Sequence, residues 1–143
     1  MDHLKELLND YKDQILKAIE HLSYSYQKVF NLSPEIKKLN SSDLEAWEAF
    51  FSRFSRVSDI FLTKYIRTKI LLGDPAFRGS LRDSVDQGEK LGLIHDAEVW
   101  MKIRELRNAS AHEYTAEDLS RIFEEARKLT PILLDLENKI TTK

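Results

Sequence analysis

Residues 41–75 read SSDLEAWEAFFSRFSRVSDIFLTKYIRTKILLGDP, and their apolar side chains recur at steps of three and four residues. This spacing is typical of an α-helix with one buried stripe. The stripe consists of Leu44, Trp47, Phe50, Phe51, Phe54, Val57, Ile60, Phe61, Tyr65 and Ile70. Ser41 or Ser42 can serve as the N-cap, and Glu45 completes a capping box with Ser42. Gly73-Asp74-Pro75 ends the pattern, so we predict one long helix here.

Outward from this helix, four further segments have a helical period. They span residues 4–29, 79–92, 96–109 and 115–140. Asp96 and Thr115 are the predicted N-caps of the last two. Pro131 lies inside the last stripe, where it should kink or split the helix because proline lacks an amide donor. We therefore predict a single all-α domain over residues 1–143, an antiparallel up-and-down bundle of four to five helices.

The composition limits the class of protein. The chain has 143 residues with 42% hydrophobic and 32% charged side chains, and only 4 Gly and 3 Pro, which favours one globular, helix-rich domain. It has no cysteine, which excludes a disulfide scaffold, a thiolate metal site and a cysteine nucleophile. No apolar run approaches the roughly 20 residues that span a bilayer. We expect a cytoplasmic protein without a membrane segment.

Charge is distributed unevenly along the chain. The net charge is −2, but residues 51–82 carry seven basic and two acidic side chains. We call the seven the basic island: Arg53, Arg56, Lys64, Arg67, Lys69, Arg78 and Arg82. These side chains form either a local phosphate-binding surface or an ordinary solvated helix face, and charge alone does not separate the two.

One polar segment suggests chemistry. Residues 104–114 read RELRNASAHEY, and on an α-helix Arg104, Arg107, Asn108 and His112 fall within an arc of about 140°. Such groups can converge on one ligand. Histidine can act as general acid or base near neutral pH, and arginine can stabilise charge on phosphoryl oxygens. The set suits RNA cleavage without a metal, with a second His112 supplied by a symmetric dimer.

Simpler interpretations of the same residues exist. A histidine near a helix end often interacts with the helix dipole. Tyr114 precedes the N-cap Thr115 and can form a hydrophobic staple with Leu119. The arginines can pair with Glu105, Glu113 or Glu117 on the surface. No histidine or carboxylate pair has a convincing metal-ligand spacing.

The segment resembles a known motif. Arg107-x4-His112-x-Tyr114 resembles the Arg-x(4–6)-His motif of the HEPN superfamily, in the tyrosine-bearing form of HepT. Upstream, the Gly92-Leu93-Ile94 run, Trp100 and Arg107-Asn108 resemble the nucleotidyltransferase substrate-binding family. Arg53-Phe54 and Asp59 are similar to that family's corresponding helix, with aspartate in place of the more usual glutamate. The resemblance covers about residues 40–140.

The resemblance implies a homodimeric helical bundle whose two motif copies form a metal-independent ribonuclease. It implies catalytic roles for Arg107 and His112, with Asn108, Arg104 and Asp59 in support. In HepT systems a minimal nucleotidyltransferase antitoxin adds AMP to the motif tyrosine, which corresponds to Tyr114. This chain then needs no cofactor, and ATP and Mg²⁺ belong to the partner.

Two other functions remain open from the sequence. The same motif can belong to a non-catalytic subunit that presents substrate to a nucleotidyltransferase. The third hypothesis is that the protein is a helical interaction module in which the polar motif has no function. RNA cleavage by the isolated dimer is expected only of the first function.

Overall fold

The long amphipathic stretch forms the central rod of the protein. In the computed structural model, which describes residues 2–109 and 115–141, this rod consists of α2 (Ser41–Ile60), a π-helical turn (Phe61–Tyr65) and α3 (Ile66–Gly73). The remaining helices are α1 (Asp2–Val29), α4 (Leu81–Lys90), α5 (Ala97–Ala109), α6 (Ala116–Leu134) and α7 (Leu136–Thr141), with a 3₁₀ turn at Ile36–Lys38. No strand occurs in the described residues. The all-α antiparallel bundle is therefore confirmed.

The core lies along one face of α2. Trp47, Phe50 and Phe54 are fully buried, and Trp47 stacks on Phe123 of α6 with ring centroids 5.4 Å apart. α1 packs along α2, and α5 and α6 contact it from the other sides. Because this face is filled by aromatic rings, the polar residues of α2 are left to the opposite face.

Several helix ends follow the sequence closely. Thr115 Oγ1 accepts from the amide of Asp118 at 3.1 Å, and Asp96 Oδ1 accepts from the amide of Glu98 at 2.9 Å. The short helix between the two glycines is also present as α4. It ends before Gly92, whose φ of 79° is a conformation that favours glycine.

The predicted cap of α2 is wrong. Asn40, rather than Ser41 or Ser42, is the N-cap, and its Oδ1 accepts from the amide of Asp43 at 2.8 Å. The helix starts two residues earlier than the Ser42–Glu45 box requires. Asparagine is among the strongest N-cap residues, so the three polar residues in succession offered competing caps. A capping box does occur in α4, between Ser80 and Asp83.

Pro131 does not end its helix at its own position. α6 continues through it to Leu134, and the break comes at Asp135, whose amide donates to the Pro131 carbonyl. α7 then continues to Thr141. The predicted split is present, but it follows the proline by one helical turn. No described helix is long and apolar enough to cross a membrane.

Candidate anion-binding cleft

A cleft of about 1120 Å³ runs between α2 and α5 and reaches the first turns of α6. We call it the α2–α5 cleft. Its floor is apolar and its walls are polar. The described lining residues are Glu48, Phe51, Ser52, Ser55, Arg56, Asp59, Ile60, Thr63, Lys64, Arg104, Arg107, Asn108, Ala109, Leu119, Ile122 and Phe123.

Helical spacing explains why these side chains meet. The polar wall residues of α2, such as Ser52, Arg56 and Asp59, follow one another at steps of three and four, so they share the face opposite the aromatic core. On α5, Arg104, Arg107 and Asn108 have the same spacing. The cleft is formed where these two polar faces turn toward each other.

Asp59 joins the two walls. Its Oδ1 accepts a hydrogen bond from Arg107 Nε at 2.7 Å and lies 3.7 Å from Arg104 Nη1. The three side chains are about one-third exposed, at 34% for Asp59, 32% for Arg107 and 28% for Arg104. The carboxylate thus holds two guanidinium groups at the same edge of the cleft.

The hydrogen bond with Asp59 favours the protonated, cationic form of Arg107. The hydrogen bond to Asp59 raises the pKa of Arg107 above its ordinary value, and partial desolvation opposes this only in part. Arg107 therefore remains a cation throughout the physiological range. Its role can be to bind and position an anion, whereas proton transfer must come from another group.

The cleft is positive overall. Its described lining residues include four cations, Arg56, Lys64, Arg104 and Arg107, against the two carboxylates Glu48 and Asp59, which leaves a net charge of +2. The whole chain has a net charge of −2. The cleft is therefore positive within a mildly acidic protein, which suits an anionic ligand.

The basic island does not form one continuous surface. Arg53 donates to Ser25 Oγ of α1 at 2.9 Å. Arg67 lies over the Phe77 ring, and Arg82 pairs with Asp86 and Glu98. Arg56 and Lys64 are the two members that line the cleft. The island therefore divides between side chains in structural contacts and two side chains that line the cleft, and phosphate binding by these two stays a prediction.

The structure brings together four of the six predicted site residues. Asp59, Arg104, Arg107 and Asn108 all line the cleft. His112 and Tyr114 lie outside the described residues, and so does the predicted staple between Tyr114 and Leu119. Among the described residues, Arg107 pairs with Asp59 and Glu117 pairs with Lys37, whereas the predicted partner Glu113 lies outside the described residues.

Sequence reasoning missed the contributions of Arg56 and Lys64 to this site. It grouped them with five other basic residues, and the spacing of a regular α-helix does not place Lys64 on the face of Asp59. It also did not identify the hydroxyls of the α2 wall. Ser55 Oγ, in that wall, has no hydrogen-bond partner among the described residues.

Metal ligands do not cluster in the described part of the chain. Across residues 2–109 and 115–141, no group of three or more histidine or carboxylate side chains could hold a metal ion. The charged groups that do converge in the cleft are mostly cations, and cations repel a metal. Their chemistry suits a phosphate.

Comparison with known proteins does not extend this picture. No protein-family model matches the chain, and a search of curated proteins also gives no match. The resemblance to the HEPN superfamily therefore rests on the motif residues, and the function it implies is a proposal.

Proposed function

We propose that this protein is a HepT-like HEPN ribonuclease, the toxin of a toxin–antitoxin pair whose other member is a minimal nucleotidyltransferase. The observation that carries this proposal is the cleft itself. Two arginines and an asparagine of the motif helix meet an aspartate of α2 in a net positive cleft. Arg104, Arg107 and Asn108 therefore share a cleft with Asp59, and its volume of about 1120 Å³ supports binding of a nucleic-acid backbone.

Each described residue has a role in this reaction. Arg107 and Arg104 bind the oxygens of the scissile phosphate and stabilise the charge that develops there. Asp59 positions both guanidinium groups. Asn108 orients the phosphate through its amide.

His112 follows Ala109, a residue of the cleft wall, by three positions in the sequence. In the proposed reaction one His112 removes the proton of the ribose 2′-hydroxyl as this oxygen attacks phosphorus. A second His112, from the other subunit of a homodimer, donates a proton to the departing 5′-oxygen. The products are a 2′,3′-cyclic phosphate and a 5′-hydroxyl, and no metal or cofactor takes part.

The positive charge of the cleft also explains how the partner could inhibit the ribonuclease. The antitoxin, with Mg²⁺, would transfer AMP from ATP to the hydroxyl of Tyr114 and release pyrophosphate. Tyr114 follows His112 by two positions. The adduct brings a phosphate that competes with RNA for the arginines. Mass measurement of the protein coexpressed with a candidate nucleotidyltransferase, compared with a Tyr114→Phe variant, tests this part.

RNA cleavage in EDTA tests the catalytic part. We expect the isolated protein to cleave single-stranded RNA, and we expect His112→Ala and Arg107→Gln to lose activity by about 100-fold or more. His95→Ala is the matched control, because His95 lines a separate hollow beside Trp100, and it should retain activity.

Two results would contradict the ribonuclease. Full activity of the His112→Ala variant would contradict the assignment of His112 as the general acid and base. RNA binding by the wild-type protein without any cleavage would instead support a substrate-presenting subunit of a two-component nucleotidyltransferase.

A further inference from the structure

The π-helical turn at Phe61–Tyr65 changes which side chains reach the cleft. The amide of Ile66 donates to the carbonyl of Phe61, which is the i→i+5 bond of a π-turn. Such turns are uncommon and occur frequently at functional sites. This one lies within the wall of the α2–α5 cleft, because Thr63 and Lys64 are lining residues.

The turn contains both buried and exposed side chains. Phe61 and Leu62 are buried, and so are Tyr65 and Ile66, at spacings of four residues. In an α-helix a step of four advances about 40° around the axis beyond a full turn. A turn with more residues changes the angle between these pairs and the residues that lie between them. Thr63 and Lys64 lie between the pairs and are exposed.

The same geometry directs Lys64 toward the cleft. In a regular α-helix, Lys64 would lie about 140° around the axis from Asp59. The π-turn takes more residues for each turn, so it reduces this angle and brings Lys64 onto the face of Asp59 and Arg56. The ammonium also lies 5.8 Å from the centroid of the Tyr11 ring on α1, which is a cation–π contact.

Arg56 and Lys64 differ from the other cations of the cleft in their partners. Arg104 and Arg107 share Asp59. Arg56 and Lys64 form no ion pair with a carboxylate in residues 2–109 or 115–141. Two cations in a cleft without an acidic partner favour a bound anion.

We propose that Arg56 and Lys64 form a second phosphate subsite, so that the cleft binds a single strand through at least two phosphates. This inference rests on the proposed function. The Arg104–Arg107 end takes the phosphate that is cleaved, and the Arg56–Lys64 pair takes another phosphate of the same strand. The preferred substrate is then an oligonucleotide, and a dinucleotide with one linking phosphate gains nothing from the second subsite.

Length-dependent binding tests this subsite. The probes are a ten-nucleotide single-stranded RNA with 2′-O-methyl groups, which cannot be cleaved, and the corresponding dinucleotide. We expect Arg56→Gln and Lys64→Gln each to weaken binding of the longer probe roughly threefold to tenfold. Each should also reduce the slope of log affinity against log salt by about 0.7. Dinucleotide binding should not change.

Lys69→Gln is the matched control, because Lys69 is an exposed lysine of α3 that does not line the cleft. If both test variants bind the long probe as Lys69→Gln does while the wild type cleaves RNA, the second subsite is wrong and the proposed function stands. If the wild type neither binds nor cleaves RNA, both are wrong. Because all three side chains are exposed, their circular dichroism spectra should match that of the wild type.

Discussion

Two arginine sites of this protein differ in what surrounds the guanidinium. Arg127 on α6 donates to the carbonyls of Val29 and Leu32 at 2.8 and 2.7 Å, with a longer contact to Phe30. Its Cζ lies 5.0 Å from the centroid of the Trp47 ring. At the cleft, Arg107 and Arg104 instead approach one carboxylate oxygen of Asp59.

The comparison separates a structural cation from two arginines that we propose bind an anion. Carbonyls at the end of α1 lack helical donors, and Arg127 supplies them while covering the Trp47 ring. This arrangement holds α6 against the end of α1. The cleft arginines are oriented by a side chain that a phosphate can replace. Arg127 should therefore determine stability, and the cleft residues should determine anion binding.

The largest expected effect in this comparison is that of Arg127→Met. Loss of hydrogen bonds from a charged donor to several carbonyls should lower the free energy of unfolding by about 2 to 3 kcal/mol. Urea denaturation measures this, and RNA binding at a temperature where the variant is folded should not change. Lys128→Met is the control, because Lys128 is exposed and its one described ion pair, with Glu124, is long at 3.9 Å. This substitution should change the free energy of unfolding by no more than about 0.5 kcal/mol. Equal losses of unfolding free energy in the two variants would contradict the structural role of Arg127.

Asp59→Asn should have a smaller effect than Arg127→Met, and it should strengthen RNA binding rather than weaken the fold. Removing the carboxylate raises the net charge of the cleft by one and releases its hold on Arg107. Affinity for the uncleavable RNA should rise about fivefold at low salt, and the gain should shrink as salt is added. Stability should change by less than about 1 kcal/mol, because the pair is one-third exposed. Fluorescence anisotropy measures the affinity.

Asp86→Asn provides the control for charge alone, because its partner Arg82 lies outside the cleft. Weaker RNA binding by Asp59→Asn than by Asp86→Asn would contradict competition between Asp59 and the phosphate. It would indicate that the carboxylate's positioning of the arginines outweighs its charge.

The smallest expected effect concerns Glu117 at the start of α6. Hydrogen bonds from Lys37 and from its own backbone amide lower the pKa of Glu117. A lowered pKa in the folded state means that the stabilisation is present above the unfolded-state pKa and is lost as pH falls through the folded-state pKa. Glu117→Gln should therefore slightly flatten the loss of stability in acid, as measured by denaturation between pH 3 and 6. An unchanged acid slope would show that this exposed pair contributes nothing.

Local sequence patterns predicted the helices because apolar spacing determines which face of each helix is buried. They also predicted that Arg104, Arg107 and Asn108 share a face, since all three lie on one helix. The pairing with Asp59 joins residues 48 positions apart. No periodicity contains that information, and Asp59 entered as a candidate only through the family resemblance.

The remaining differences have the same physical origin. The π-turn interrupts α2 and α3 at Phe61–Tyr65, and the regular apolar spacing of the helix does not reveal it. The basic island divides because α1 supplies partners for Arg53 that the sequence near Arg53 does not contain. Arg127 was missed for a similar reason, since its carbonyl partners lie nearly a hundred residues away.

The side-chain NMR signals of the arginines provide the most direct test of the central claim, that the α2–α5 cleft binds the RNA backbone. The Nε–Hε resonances of Arg107 and Arg127 would be followed while the 2′-O-methyl oligonucleotide is added. We predict that the Arg107 resonance shifts with increasing RNA and that the Arg127 resonance stays in place. A shift of Arg127 with no shift of Arg107, or no shift of either during saturable RNA binding, would contradict the assignment of the cleft.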